Sequence, residues 1–234
     1  MTSRSGSVVR LMTWNIHGAV GRNPRFDLTR VMELIRKWDP DIVAVQEVDS
    51  RRKGPTAAED PFVVLQDALG AHGIGAKSII TADGEYGQML ISRWPLSATE
   101  IHDISFPERE PRRAIKTDVV TPHGQLRVVA THLGLSMKER RGQAEELLAL
   151  AGQSSVATVV LGDFNDWFWA GSVRKVLARE LAGRTRYRTF PSLWPLFRLD
   201  RIYCRPRDAL RAGFVDSDAR HISDHLPVIA DIAL

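Results

Sequence analysis

The chain has a single cysteine, Cys204, no repeat, no low-complexity block and no apolar run near the roughly 18 residues that a membrane-spanning helix needs. Each absence removes a class of protein. One thiol cannot close an internal disulfide, which agrees with a reducing compartment. Without clustered cysteines or a zinc-binding helix motif, nothing supports a zinc site. The start, "MTSRSGSVVRLMTW", lacks the apolar stretch of a secretion signal, so a cytoplasmic protein is expected. No long linker interrupts the sequence, and one domain spanning residues 1–234 is expected, as a monomer with no transmembrane segment.

What is present fits a globular fold. Hydrophobic residues make up 44% of the 234, enough for a substantial core. The net charge of +4 is too small to name a partner, but its distribution is uneven. Between Arg174 and Arg220 arginines are frequent and acids sparse, which points to a positive surface for an anion, with a solvated face as the plain alternative.

Short β-rich runs predict strands at 8–14, 41–48, 88–92, 114–120, 126–133, 157–164, 199–204 and 226–234. Helices fall between them. "FDLTRVMELIRKW" sets Leu28, Val31, Leu34 and Ile35 on one face behind an Asp27 cap, and Pro40 stops it. "SMKERRGQAEELLALAG" opens with Ser136 and Glu139 at capping-box spacing and closes near Gly152. A weaker helix is expected over 170–181, and loops over 49–61 and 103–113. Strands in excess of helices predict two stacked sheets flanked by helices.

The polar residues of interest sit where predicted strands end. Asn15 follows "LMTW", Glu47 closes "IVAVQE", His132 closes "VVATH", Asp163 and Asn165 follow "VVLG", and "SDH" precedes the last strand. Singly, each has an ordinary explanation as a turn cap or a satisfied buried side chain. Together they describe one rim of a sheet.

In this order the motifs resemble the endonuclease/exonuclease/phosphatase superfamily, which includes pancreatic deoxyribonuclease, abasic-site endonucleases, neutral sphingomyelinases and inositol polyphosphate 5-phosphatases. "TWNIHG" (13–18), "DPDIVAVQEVD" (39–49), "GQMLISRWPL" (87–96), "THLG" (131–134), "GDFND" (162–166), "LDRIY" (199–203) and "SDHLPV" (223–228) carry the resemblance. It implies an α/β four-layer sandwich of two face-to-face mixed β-sheets with helices outside and an active site at one end.

Hydrolysing a phosphate ester at neutral pH requires neutralised phosphoryl oxygens, an activated water and a stabilised leaving alkoxide. Hard oxygen ligands suit Mg²⁺, or Mn²⁺, and Glu47 is the first choice of ligand. The resemblance adds Asn15, at the metal or the phosphate, and Asp224. Asp163 can orient or deprotonate the water while the Asn165 amide donates to a phosphoryl oxygen. By resemblance, His225 contacts phosphate or moves a proton, Asp200 fixes its tautomer, and His132 is the second catalytic histidine. The acting base among Asp163, His132 and His225 stays open.

A phosphate-gripping arginine is expected in "PEREPRRAI", where Arg113 is preferred because it directly precedes a strand, then Arg109, with Arg112 the third candidate. His17 reads as a structural neighbour of Asn15, and Asp166 as a backbone-binding turn residue. The aromatic groups at 167–169 and 190–197 either flank the cleft or pack the core. The expected substrate is a phosphodiester, with nucleic acid first and a phospholipid or inositol phosphate as the alternative. A non-catalytic phosphate-binding module is the remaining reading, against which stands the full set of carboxylates and histidines.

Overall fold

Alternation along the strands decides the architecture. In the computed structural model, which describes residues 7–20, 27–51, 60–153, 155–167 and 172–234, strand β1 (Val8–Asn15) turns Val9 and Leu11 to one side. It turns Met12 and Trp14 to the other, and all four are fully buried. A strand buried on both faces must lie in a sheet covered twice.

Two six-stranded mixed sheets result. The first has the order β11-β12-β1-β2-β4-β3, built from β1, β2 (Ile42–Asp49), β3 (His72–Thr81), β4 (Gly84–Ser92), β11 (Leu210–Val215) and β12 (Val228–Ala233). The second runs β5-β6-β7-β8-β10-β9, from β5 (Leu96–Asp103), β6 (Arg113–Thr121), β7 (Gly124–His132), β8 (Ala157–Asp163), β9 (Gly183–Arg184) and β10 (Asp200–Arg205). Each sheet holds one parallel pair, β1–β2 and β7–β8. A parallel pair needs a crossover, supplied here by α1 (Leu28–Trp38) and α3 (Met137–Ala151).

The core is layered accordingly. Val9, Leu11, Ile42 and Leu90 from one sheet meet Ile115, Val128, Leu161 and Ile202 from the other. The outer face of the first sheet packs on α1 and α2 (Pro61–Leu69), through Val31, Ile35 and Leu65 against Met12, Val43 and Ile229. That of the second packs on α3 and α4 (Ser172–Leu177), through Ala144, Leu147 and Val176 against Val129, Val160 and Tyr203. These are the four layers that the resemblance implied.

The helix signals act as their chemistry predicts. Asp27 accepts from the Arg30 amide at 3.2 Å, and Leu28, Val31, Leu34 and Ile35 are the buried face of α1. Ser136 and Glu139 form a reciprocal capping box on α3. The weaker helix is shorter than expected, and four strands (β3, β5, β9 and β11) and α2 were not anticipated. β3 and β5 are edge strands with little burial, so neither shows an apolar period. The start of α2 was legible, because Asp60 accepts from the Phe62 amide at 2.9 Å and Pro61 occupies the first turn. The expected loop over 49–61 falls mostly outside the described residues, as do Phe168 and Trp169.

Candidate active site

Four strands share one design on the face turned toward the opposite sheet. Leu11, Thr13 and Asn15 follow each other at every second position, as do Val128, Ala130 and His132, then Val159, Leu161 and Asp163, and in reverse Cys204, Ile202 and Asp200. On β7, β8 and β10 the inner face is apolar until the last pleat, where it becomes an imidazole or a carboxylate; on β1 the buried Thr13, bonded to Gln46, precedes the Asn15 amide. Register then does the assembling. His132 pairs with Asp163 across β7–β8, and Asp163 pairs with Asp200 across β8–β10. Asn15 joins from the other sheet, its Nδ2 donating to Asp163 Oδ2 at 3.0 Å.

Gly162 lets this rim close. Its φ is 150°, and a Cβ there would lie 1.9 Å from the Thr131 carbonyl oxygen, so any side chain would push β8 off β7. Glu47 is brought in differently. Gln46 pairs with Gln88 and Val48 with Gly87, leaving Glu47 in a β-bulge at φ 58°. The bulge frees its carboxylate from strict alternation and brings it to the Asn15 amide at 2.8 Å. Asn165 also has a left-handed φ, 47°, and its N–H donates to Asp163 Oδ1 at 2.9 Å. Left-handed backbone at Glu47 and Asn165, neither of them glycine, marks positions where geometry outranks backbone comfort.

The two histidines are set oppositely. His225 Nδ1 lies 2.8 Å from Asp200 Oδ2, and its Nε2 lies 3.8 Å from Asp163 Oδ2. Burial is the largest influence and opposes the charged ring, but the Asp200 and Asp163 carboxylates outweigh it and push the pKa up to about 10. At His132 burial and then the Arg112 charge act together, holding the pKa down to about 4 against the pull of Asp163 and Glu47. Hydrogen bonding agrees. His132 Nδ1 faces Arg112 Nη1 and its Nε2 faces Asn165 Nδ2, both at 3.4 Å, so a doubly protonated ring would oppose N–H donors on both sides.

Glu47, Asp224 and His17 form the outer lip. His17 Nδ1 lies 3.6 Å from Glu47 Oε2 and 3.6 Å from Asp224 Oδ1, so one imidazole stands between two carboxylates. Burial is the largest influence on Glu47 and raises its pKa, yet the His17 hydrogen bond, the His132 charge and the Asn15 amide hold it down to about 2. Two carboxylates that share a partly exposed opening, one of them firmly ionised, are a donor set suited to a hard divalent cation. Asn15 has a supporting place here. Its Oδ1 accepts from the His17 N–H at 3.0 Å and its amide is directed at Glu47 and Asp163. Asp163, Asp200 and His225 also lie with donor atoms within 4.8 Å of each other, but all three are buried and the imidazole itself fills the space between the carboxylates.

The arginines correct an expectation. Arg113 turns away from the cluster, pairing with Asp103 and donating to Ser105 Oγ at 3.3 Å, and Arg109 is exposed in the preceding loop. Arg112 is the buried one, facing His132 and anchored by Glu110 at 2.8 Å. Proximity to the strand favoured Arg113, but neighbouring side chains in extended backbone point to opposite faces. Other contacts were not assigned individually from sequence, although the aromatic segment 190–197 was expected to flank the cleft or pack the core. Tyr86 interacts with Arg112 and Glu47. Ser223 Oγ donates to the Asn15 carbonyl at 2.7 Å and receives the His225 N–H at 3.1 Å. Phe190 packs on the His225 ring at 4.8 Å. Serine two residues before a histidine is the only one of these with a local signal.

The sequence model of the Endonuclease/Exonuclease/phosphatase family matches residues 12–225. The chain is 31% identical to the uncharacterised protein YbhP of Escherichia coli (strain K12), over 96% of both chains. Its fold resembles the crystal structure of an endonuclease/exonuclease/phosphatase from Beutenbergia cavernae, with a TM-score of 0.77 and 22% identity over 97% of this chain and 72% of that one. A family protein from Leptotrichia buccalis superposes with a TM-score of 0.75 at 17% identity, over 97% of this chain and 100% of that one.

Proposed function

The chain belongs to the endonuclease/exonuclease/phosphatase family, and from that premise we propose that it is a divalent-metal-dependent phosphodiesterase of nuclease type. One observation carries the reading: Asp163 Oδ2 lies between two imidazoles pushed to opposite protonation states, 3.6 Å from His132 and 3.8 Å from His225. Neighbouring titratable groups driven apart in this way are what acid–base chemistry requires. His225, held as a cation by Asp200, donates from Nε2 to a phosphoryl or leaving oxygen. Asp163 accepts from the attacking water and sets its direction. His132, kept neutral by burial and by Arg112, leaves room for a phosphoryl group beside the Asn165 amide. Glu47 and Asp224 would hold Mg²⁺ or Mn²⁺, with Asn15 fixing the Glu47 carboxylate; the ion supplies charge neutralisation at the phosphoryl oxygens.

A second reading, a phospholipid or inositol-phosphate hydrolase, draws on a different feature. Trp194 and Leu196 are 79% and 60% exposed on the segment between Phe190 and Asp200, an apolar edge that a lipid surface could receive. Among the described residues no helix is long and apolar enough to cross a membrane. Purified protein with Mg²⁺ or Mn²⁺ should be assayed on plasmid DNA, abasic duplex, single strands, phospholipid vesicles and inositol phosphates. Cleavage of DNA with kcat/KM falling steeply as salt rises is expected, because several phosphates release counterions on binding. Activity confined to vesicles or inositol phosphates would replace the nuclease reading with the second one.

A further inference from the structure

Beside the candidate active site lies a second concavity of about 230 Å³, whose wall is dominated by one chemical group. Arg174, Arg184, Arg186, Arg188, Arg198 and Arg201 line it, and among the described residues its only acid is Asp166. Three segments deliver them: the helix after the "GDFND" motif, the β9 region and the start of β10. Alternation explains the last of these. Asp200 turns inward to His225, so Arg201, the next residue, turns outward into this cavity, where it is 8% exposed and donates to Tyr203 Oη at 3.1 Å.

Crowded guanidinium groups repel one another, and a concave surface reduces the water that would screen them. Surface arginines normally answer this by pairing with carboxylates. Among the described residues, the side chains of Arg184, Arg186, Arg188 and Arg198 make no ion pair and no hydrogen bond. Arg184 illustrates the cost: burial, then the charges of Arg186, Arg174 and Arg201, lower its pKa. An arrangement of this kind is relieved by a multivalent oxyanion, for which planar guanidinium donors are well shaped.

The cavity is joined to the catalytic cluster by ring contacts. Trp167 and Phe197 form part of its wall with ring centroids 5.3 Å apart. Trp167 packs edge-on against Phe190 at 5.1 Å, and Phe190 packs on His225 at 4.8 Å. Asp166 and Arg201 are direct chain neighbours of Asn165 and Asp200. A substrate reacting at His225 therefore has a short aromatic ledge leading from the scissile phosphate to the arginines.

We propose that this cavity is a second phosphate-binding subsite, which receives a further phosphate group of the same substrate and so selects polyphosphorylated esters over isolated diesters. That both phosphates belong to one substrate rests on the phosphodiesterase reading; anion binding by the arginines does not. The second phosphate can be an adjacent diester of a polynucleotide strand or a phosphomonoester on a small molecule; the guanidinium chemistry is common to both.

The test is equilibrium binding by calorimetry in the presence of chelator, so that turnover plays no part. The probes are a nucleoside 5′-monophosphate, the matching 3′,5′-bisphosphate and a trinucleotide. They are titrated into the wild type, Arg186→Ala/Arg188→Ala and Arg184→Ala. The added phosphate is expected to tighten binding by about tenfold or more in the wild type, the worth of one charge-assisted contact. That advantage should shrink towards unity in both variants, whose melting temperatures confirm folding. A trinucleotide bound more tightly than the bisphosphate identifies a strand, and the reverse order a small phosphomonoester; either supports the subsite. An advantage that is absent from the wild type, or survives in both variants, overturns it. If the arginine-dependent advantage appears but no phosphodiester is hydrolysed with any metal, the subsite stands and the catalytic reading falls.

Discussion

Asp200 carries His225: the imidazole Nδ1 lies 2.8 Å from the Asp200 carboxylate, and both groups are buried where β10 begins opposite the end of β8. The carboxylate fixes which ring nitrogen faces the substrate and supports the imidazolium. Asp200→Asn keeps the shape and removes the charge. It is expected to lower kcat by about 10²–10⁴-fold, the range of general acid–base contributions, with little change in the metal concentration at half-maximal activity. A raised metal requirement with saturated kcat intact would instead place Asp200 among the metal ligands.

Stability of the metal-free protein should depend on pH with opposite signs from the two histidines. His225, raised to about 10, binds a proton more tightly folded than unfolded. Its contribution is complete below the unfolded value near 6.5 and is lost as pH rises through about 10. His132, lowered to about 4, binds its proton more weakly when folded, so stability declines as pH falls from about 6.5 through 4. Glu47, lowered to about 2, adds a further loss below about 4.5. Urea midpoints measured in chelator from pH 3 to 10 are expected to peak near neutrality, and His225→Gln should flatten the alkaline limb. An alkaline limb unchanged in that variant would count against a buried imidazolium.

Arg112 and Arg113 differ by one position and should differ sharply in effect. Arg112 depresses the His132 pKa, and Arg113 pairs with Asp103 on the other side. Arg112→Met is therefore expected to raise the His132 pKa, followed by NMR of the imidazole protons, and to reduce kcat/KM at least about tenfold through one lost charged contact. Arg113→Met should leave both within about twofold, as a partly exposed pair predicts. Equal effects from the two substitutions would mean that the cluster is not organised around Arg112.

These cases show what the sequence made legible. Asn15, His132 and Asp163 were legible as cluster members because a polar residue that closes an apolar strand is a local signal, whereas Asp200, at the start of its strand, was legible only through the "LDRIY" motif. Glu47 was found by its motif, although the bulge that aims it depends on the partner strand and leaves no local trace. Arg112 was passed over because the choice between two adjacent arginines is a choice of face, fixed only by the long-range pairing of β6 with β7. β3 and β5 were missed for a related reason. Edge strands bury little, so pairing rather than burial defines them, and pairing is not written in either strand alone.

The lip formed by Glu47 and Asp224 sets the last expectation. Glu47 is ionised at neutral pH and held by Asn15, while His17 occupies the gap between the two carboxylates at 3.6 Å from each. A divalent ion bound there competes with His17 for the two carboxylates, so His17→Ala is expected to strengthen Mn²⁺ affinity. Asn15→Ala removes the amide that orients Glu47 without removing a carboxylate. It is expected to reduce metal affinity by about 10–100-fold, as losses of supporting hydrogen bonds do, and Glu47→Gln by more. Calorimetric titration of Mn²⁺ into the chelator-treated wild type and the three variants measures this ordering directly. Full turnover by the metal-stripped wild type, or Mn²⁺ binding indifferent to Glu47→Gln, would remove the metal from this lip and the metal-dependent mechanism with it.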